Sequence, residues 1–154
     1  MKITKTSPKG VELIKFFEGF ISKPYLCPAH VATIGYGATY YPNGKKVTLS
    51  DPAITEQYGL QLLINMLDTY EKAVDSFCRD DINQNQFDAL TSFAYNLGVG
   101  NLKSSTLLKK VNVNPSDPTI RDEFNKWVYG GGSILPGLVT RRVKEADLYF
   151  GISK

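Results

Sequence analysis

The chain has 154 residues, 42% of them hydrophobic, and carries 18 lysines and arginines against 15 acids for a net charge of +3. That suits one domain able to bury roughly two-thirds of its unfolded surface, and the basic residues are spread too evenly to form a nucleic-acid patch. Two cysteines, Cys27 and Cys78, are too few for a zinc cluster or a disulfide framework; they read as two free thiols, with a single bond between them also compatible.

At the N-terminus, Lys9, Glu12, Lys15 and Glu18 interrupt the apolar residues, which describes an amphipathic helix and neither an export signal nor a membrane span. The product is therefore expected to stay in the cytoplasm where it is made until another agent opens a route out. Ser7 can cap and Pro8 can open a helix over 8–18 that leaves at Gly19 and puts Glu18 at its C-terminal end. From Phe20 to Thr48 prolines and glycines are too dense for helices. Short strands fit instead, one over 33–36 and one over 45–48, the latter returning from a Pro42-Asn43-Gly44 turn. Thr55 then caps a long helix over 55–78, about 35 Å long at 1.5 Å per residue and able to bridge two lobes. Further helices are predicted over 84–96, 105–111, 118–129 and 136–150, with Gly98, Gly100 and Gly130-Gly131-Gly132 as punctuation. The expected fold is α+β and mostly helical. A small β-lobe covers 20–50, a bridging helix 55–78, and a helical lobe 79–154 joined by the N-terminal helix, all in a single domain over 1–154.

Glu18 is the first candidate for chemistry. A carboxylate at a helix C-terminus faces the negative end of the dipole, and Phe16, Phe17 and Phe20 make its surroundings apolar. Both effects favour the protonated form that a general acid needs near neutrality. A solvent-facing glutamate without a task fits the same position. Taken alone, Cys27 reads as a small buried hydrophobe, Thr33 as a strand former, and His30 as an exposed loop residue whose imidazole titrates near neutral pH. The Gly35-Tyr36-Gly37 bend suits a cleft wall and a core plug equally. The sequence holds no phosphate loop, no HExxH pair and one histidine, so neither a metal nor a cofactor is expected. A Cys27–His30 nucleophilic dyad lacks an oxyanion helix to serve it.

The spacing Glu18, eight residues, Cys27, five residues, Thr33 resembles the catalytic Glu-x8-Asp/Cys-x5-Thr pattern of phage-type lysozymes, glycoside hydrolase family 24. Supporting stretches follow in the family's order: SKPYLCP and TIGYG, then FDALTSFAYNLGVGN, SSTLLKKVN and LPGLVTRRVKEADLY, and the resemblance covers nearly the whole chain, from Ser7 to Tyr149. The resemblance implies a two-lobe muramidase that cleaves the β-1,4 bond between N-acetylmuramic acid and N-acetylglucosamine to lyse a bacterial host. Glu18 would protonate the leaving oxygen, Cys27 would stand where other members carry aspartate, and Thr33 would help hold the water. An arginine of the Arg141-Arg142 pair would orient Glu18, although on its own that pair reads as a solvated basic face.

Thr39, Tyr95, Asn96 and Ser105 would border the sugar cleft. Ala38 departs from the histidine that many members carry there. The implied partner is bacterial peptidoglycan, met by a monomer after holin-assisted release, with no nucleic acid and no stable membrane association. A lytic transglycosylase using Glu18 alone, or an inactive wall-binding protein, are the rival readings.

Overall fold

The structure, a computed structural model, describes residues 2–152; Met1, Ser153 and Lys154, which the expected 1–154 domain includes, lie outside the described residues. Two compact units divide the chain. One holds the N-terminal residues through Val11 together with Tyr70 onward, and the other holds Glu12–Thr69. Helices α1 (Pro8–Glu18) and α2 (Glu56–Phe77) each run from one unit into the other.

Within the Glu12–Thr69 unit, the end of α1 leads to an antiparallel hairpin of β1 (Ile21–Leu26) and β2 (Ala32–Gly35), with Tyr25 opposite Thr33 and Leu26 opposite Ala32. Strand β1 is absent from the sequence reading. Its alternation is broken by Pro24 and by a register shift between Ile21 and Tyr25, so no clean period of two is visible. The expected strand over 45–48 reduces to a single bridge between Tyr40 and Lys46. Both turns share one design. In each, the first residue donates its amide to the residue four on, Cys27 to Val31 at 3.1 Å and Tyr41 to Lys45 at 2.9 Å, and accepts from the residue three on, His30 at 2.8 Å and Gly44 at 2.9 Å. Proline follows the first residue in both, and the last loop residue is left-handed: φ is 61° at His30 and 84° at Gly44. This is the three-residue hairpin loop in which a bend is closed by one left-handed residue. Thr55 caps α2 as expected, its hydroxyl accepting the Tyr58 amide at 3.1 Å. Ile14, Ile34, Leu62, Leu63 and Leu67 form the buried interior, and Tyr36 plugs it against Phe20 at 5.5 Å.

The other unit is helical: α3 (Gln84–Leu97), α4 (Val99–Ser104), α5 (Thr106–Val113), α6 (Ile120–Asn125) and α7 (Pro136–Tyr149), with α7 packed on α3 and α6. Asn83 and Gln86 form a reciprocal capping box that starts α3. The N-terminal strap is clamped by two carboxylates: Glu71 accepts the Thr6 amide at 2.8 Å, and buried Asp88 accepts the Ser7 amide at 3.0 Å as well as the Ser7 hydroxyl. An edge-to-face aromatic series, Trp127, Phe93, Phe124 and Tyr149, fills the interior at 5.5 to 5.9 Å spacings.

Three sequence expectations change here. Helix α4 starts directly after Gly98 and runs through Gly100, two of the glycines read as punctuation. The helix over 118–129 shortens to Ile120–Asn125, because Asp117 turns the chain by accepting the Thr119 amide at 2.9 Å. Finally, Tyr129–Gly130 and Ser133–Ile134 pair as a hairpin, β3 and β4, around Gly131 and Gly132. Their φ values of 59° and 83° are what a two-residue primed turn requires. Both cysteines are free thiols. The architecture is the mostly helical α+β fold that the sequence predicts.

Candidate active site

Glu18, Cys27 and Thr33 fall in one unit. Glu18 is the last residue of α1, half-buried, and the helix closes behind it as the Gly19 amide reaches the Lys15 carbonyl at 2.9 Å. The chain then enters β1. Alternation along that strand puts Tyr25 and Cys27 on one face, and the ladder sets Thr33 opposite Tyr25.

Cys27 occupies the first position of the hairpin turn, where a side-chain acceptor meets the amide two residues on. Backbone N–H groups of Val31 and Ala29 point at the sulfur, and together with a smaller contribution from the Thr33 hydroxyl they hold the thiol below its ordinary 9.0. The thiol is half-exposed, whereas Thr33 is 3% exposed and donates its one proton to the Val31 carbonyl at 2.9 Å. The buried-hydrophobe reading of Cys27 is thus replaced. Cys78 is the buried thiol, and burial pushes it up to about 12.

His30 is exposed, as expected, and its left-handed backbone closes the turn that aims the Ala29 and Val31 amides. Tyr25 was not singled out by the sequence. Burial, and then the charges of Glu18 and Cys27, raise its phenol above 10.0. A period-two reading of SKPYLC would have paired it with Cys27, had β1 been recognised.

In the helical unit, Arg141 and Arg142 are 4% and 0% exposed, so neither lies on a solvated face. Both converge on Glu145, itself 0% exposed. Glu145 Oε2 receives the Ser92 hydroxyl at 2.5 Å, Arg141 Nε at 3.2 Å and an Arg142 terminal nitrogen at 3.2 Å. Arg142 Nε lies 2.8 Å from Glu145 Oε1, an ion pair by distance in which the N–H is not aimed for a hydrogen bond. The remaining Arg142 donors go to Asn96 Oδ1 at 2.7 Å and to the Trp127 carbonyl at 3.4 Å. Ser92 and Glu145 had no sequence signal beyond lying within the matched stretches.

Asn96 is half-buried with its carbonyl oxygen held by Arg142, and half-buried Tyr95 sits edge-on to Tyr70 at 5.1 Å. Ser105 is 4% exposed; its hydroxyl donates to Leu102 at 2.7 Å and accepts the Leu108 amide at 3.0 Å, which gives it a capping role at the start of α5. Thr39 lies in the Glu12–Thr69 unit, half-buried, its carbonyl taking the Val47 amide at 3.0 Å. A cavity of about 450 Å³ follows directly on the Tyr95-Asn96 segment, lined by Leu97, Thr106, Glu123, Lys126, Trp127 and Tyr129. Glu123 there is held below the usual carboxylate range by Lys110 at 2.8 Å and then by Lys126. Among the described residues no cluster of three or more His, Cys, Asp or Glu side chains could hold a metal ion.

Comparison with known proteins gives consistent results. The family described as phage lysozyme matches residues 15–145. An endolysin of Bacillus phage B103 is 41% identical over 145 residues, covering 93% of this chain and 53% of its own length. The chain spans about half the length of the Bacillus phage relatives it matches. A SAR-endolysin of Haemophilus phage HP1 is 34% identical over 96% of this chain and 82% of its own. Among solved structures, an endolysin from Escherichia coli O157:H7 phage FAHEc1 aligns with a TM-score of 0.88 at 31% identity, covering 100% of both chains.

Proposed function

Because the chain belongs to the phage lysozyme family, we propose that it is a lytic peptidoglycan hydrolase of the endolysin type, cutting the β-1,4 bond between N-acetylmuramic acid and N-acetylglucosamine. The observation that carries the reading is the cradle of amides around Cys27, in the same unit as Glu18. It lets a thiol do what aspartate does at this place in other members. Glu18 gives its proton to the departing glycosidic oxygen as the C1–O bond breaks. The Cys27 thiolate takes a proton from the water whose oxygen attacks C1. Thr33, buried beneath the thiol, steadies it and through it the water.

Of the two arginines offered as partners for Glu18, Arg142 has its donors directed to Glu145, Asn96 and Trp127. Arg141 likewise donates to Glu145 and to the Ser92 carbonyl and hydroxyl, so the orienting role toward Glu18 is proposed for this arginine pair on the family resemblance alone. Tyr95, Asn96 and Thr39 are proposed to contact the sugar, and the cavity beside Trp127 to take a further part of the wall polymer.

Clearing of permeabilised Gram-negative cells tests the function: wild type should clear them and Glu18→Gln should not, while equal clearing by both would sink the assignment. Product ends separate the rival that the missing aspartate favours, since a transglycosylase leaves 1,6-anhydro ends and a hydrolase reducing ends. Among the described residues no helix is long and apolar enough to cross a membrane. Action as a monomer, held in the host cytoplasm and then released by a holin, belongs to the same proposal. Lysis on expression without a permeabilising partner would overturn that route.

A further inference from the structure

The geometry points to Tyr25 as a fourth polar group of this site, its phenol O–H donating a hydrogen bond to a sugar oxygen of the bound glycan. The inference rests on the glycosidase reading above and adds a substrate contact that neither the Glu-x8-Cys-x5-Thr pattern nor the cleft-border residues contain.

Three observations place it there. Tyr25 pairs with Thr33 across the hairpin and shares a strand face with Cys27, so its side chain rises on the side where the thiol is cradled. Its phenol is raised first by burial and then by the charges of Glu18 and Cys27, so both groups act on it electrostatically. Finally, its hydroxyl has no hydrogen-bond partner among the described residues, although the ring is half-buried.

The contrast with other tyrosines is informative. Tyr36 donates to Glu56, Tyr41 to Asp51 at 2.7 Å and Tyr149 to the Pro115 carbonyl at 2.7 Å. Those phenols are structural, each with its donor satisfied inside the fold. A half-buried phenol with an idle donor gains by meeting a ligand oxygen. Burial and two neighbouring acids keep that proton on the oxygen through neutral pH, so the group works as a donor and not as a base. Sugars offer oxygens at every ring position, and the glycan has to pass between Glu18 and the water held at Cys27 for either to act.

Tyr25→Phe removes the donor and leaves the ring. With soluble glycan fragments and reducing-end detection, kcat/KM should fall about tenfold, the size of one hydrogen bond, with an unchanged thermal midpoint. Activity within twofold of wild type overturns the inference. If the midpoint falls too, the decision moves to binding of an N-acetylglucosamine oligomer by Glu18→Gln with and without Tyr25→Phe, at a temperature where both are folded. Weaker binding with the phenylalanine supports the contact, and equal Kd values overturn it. Glu18→Gln alone separates the two levels. Its full activity would sink the glycosidase assignment itself, whereas a dead Glu18→Gln beside a fully active Tyr25→Phe rejects Tyr25 alone.

Discussion

At the residue scale, the two thiols have opposite chemistry for local reasons. Cys27 starts a turn whose amides converge on its sulfur, and Cys78 is enclosed by apolar neighbours near Asp75. Thiolate, the reactive form, is therefore present at lower pH for Cys27 and absent at any ordinary pH for Cys78. Iodoacetamide at pH 7.5 should modify Cys27 and leave Cys78 intact, read by peptide mass spectrometry. Labelling of Cys78 first would contradict the placement. The half-maximal rate for Cys27 should also fall at a pH below that of free cysteine. In the activity assay, Cys27→Asp should retain turnover while Cys27→Ala loses it; full activity of the alanine variant would remove Cys27 from the chemistry.

At the scale of elements, the β1–β2 hairpin holds the candidate site in order. His30, the histidine that attracts attention in the sequence, contributes a backbone conformation. Histidine reaches the left-handed region more readily than most residues, and a β-branched side chain there is strained. His30→Gly should leave stability within about 0.5 kcal/mol, because glycine suits the geometry, and should keep activity. His30→Val should cost about 1–2 kcal/mol in urea unfolding and reduce turnover by displacing the amides around Cys27. Equal behaviour of the two variants would mean that the turn is not the constraint. Helix ends were legible because caps and prolines act within a turn of the chain: Ser7-Pro8, Thr55 and Pro136 each marked a boundary that the structure keeps. Strand β1 and the β3–β4 hairpin were not legible. The first is interrupted by Pro24, and the second is two residues per strand, too short for any periodicity.

At the scale of the whole molecule, the helical unit keeps two guanidinium groups in its interior, with Glu145 as their shared counter-charge. Removing one partner of such a group leaves uncompensated buried charge, which is far costlier than losing a surface ion pair. Glu145→Ala should destabilise the fold by about 3–5 kcal/mol, seen as a lower urea midpoint. A loss below about 1 kcal/mol would mean that water or a rearranged acceptor reaches the arginines. The same network withdraws Asn96 and Arg142 into fixed positions, so it sets the place of Asn96, which is proposed to meet the sugar, as well as stability.

Local signals in the sequence were sufficient for most helix starts, the Pro-Asn-Gly turn and the acid at the end of α1, while Glu18, Cys27 and Thr33 became candidates through the motif resemblance. Those features depend on residues within a few positions of one another, and short-range sterics and capping act over that distance. What the tertiary structure decided is different in kind. It took Arg141 and Arg142 off the surface, gave Ser105 a cap to hold, paired Tyr25 with Thr33 across the hairpin, and turned loop amides onto a thiol. Each of these depends on which distant groups are brought together and which are cut off from water, and burial and hydrogen bonding of that sort have no counterpart in linear spacing.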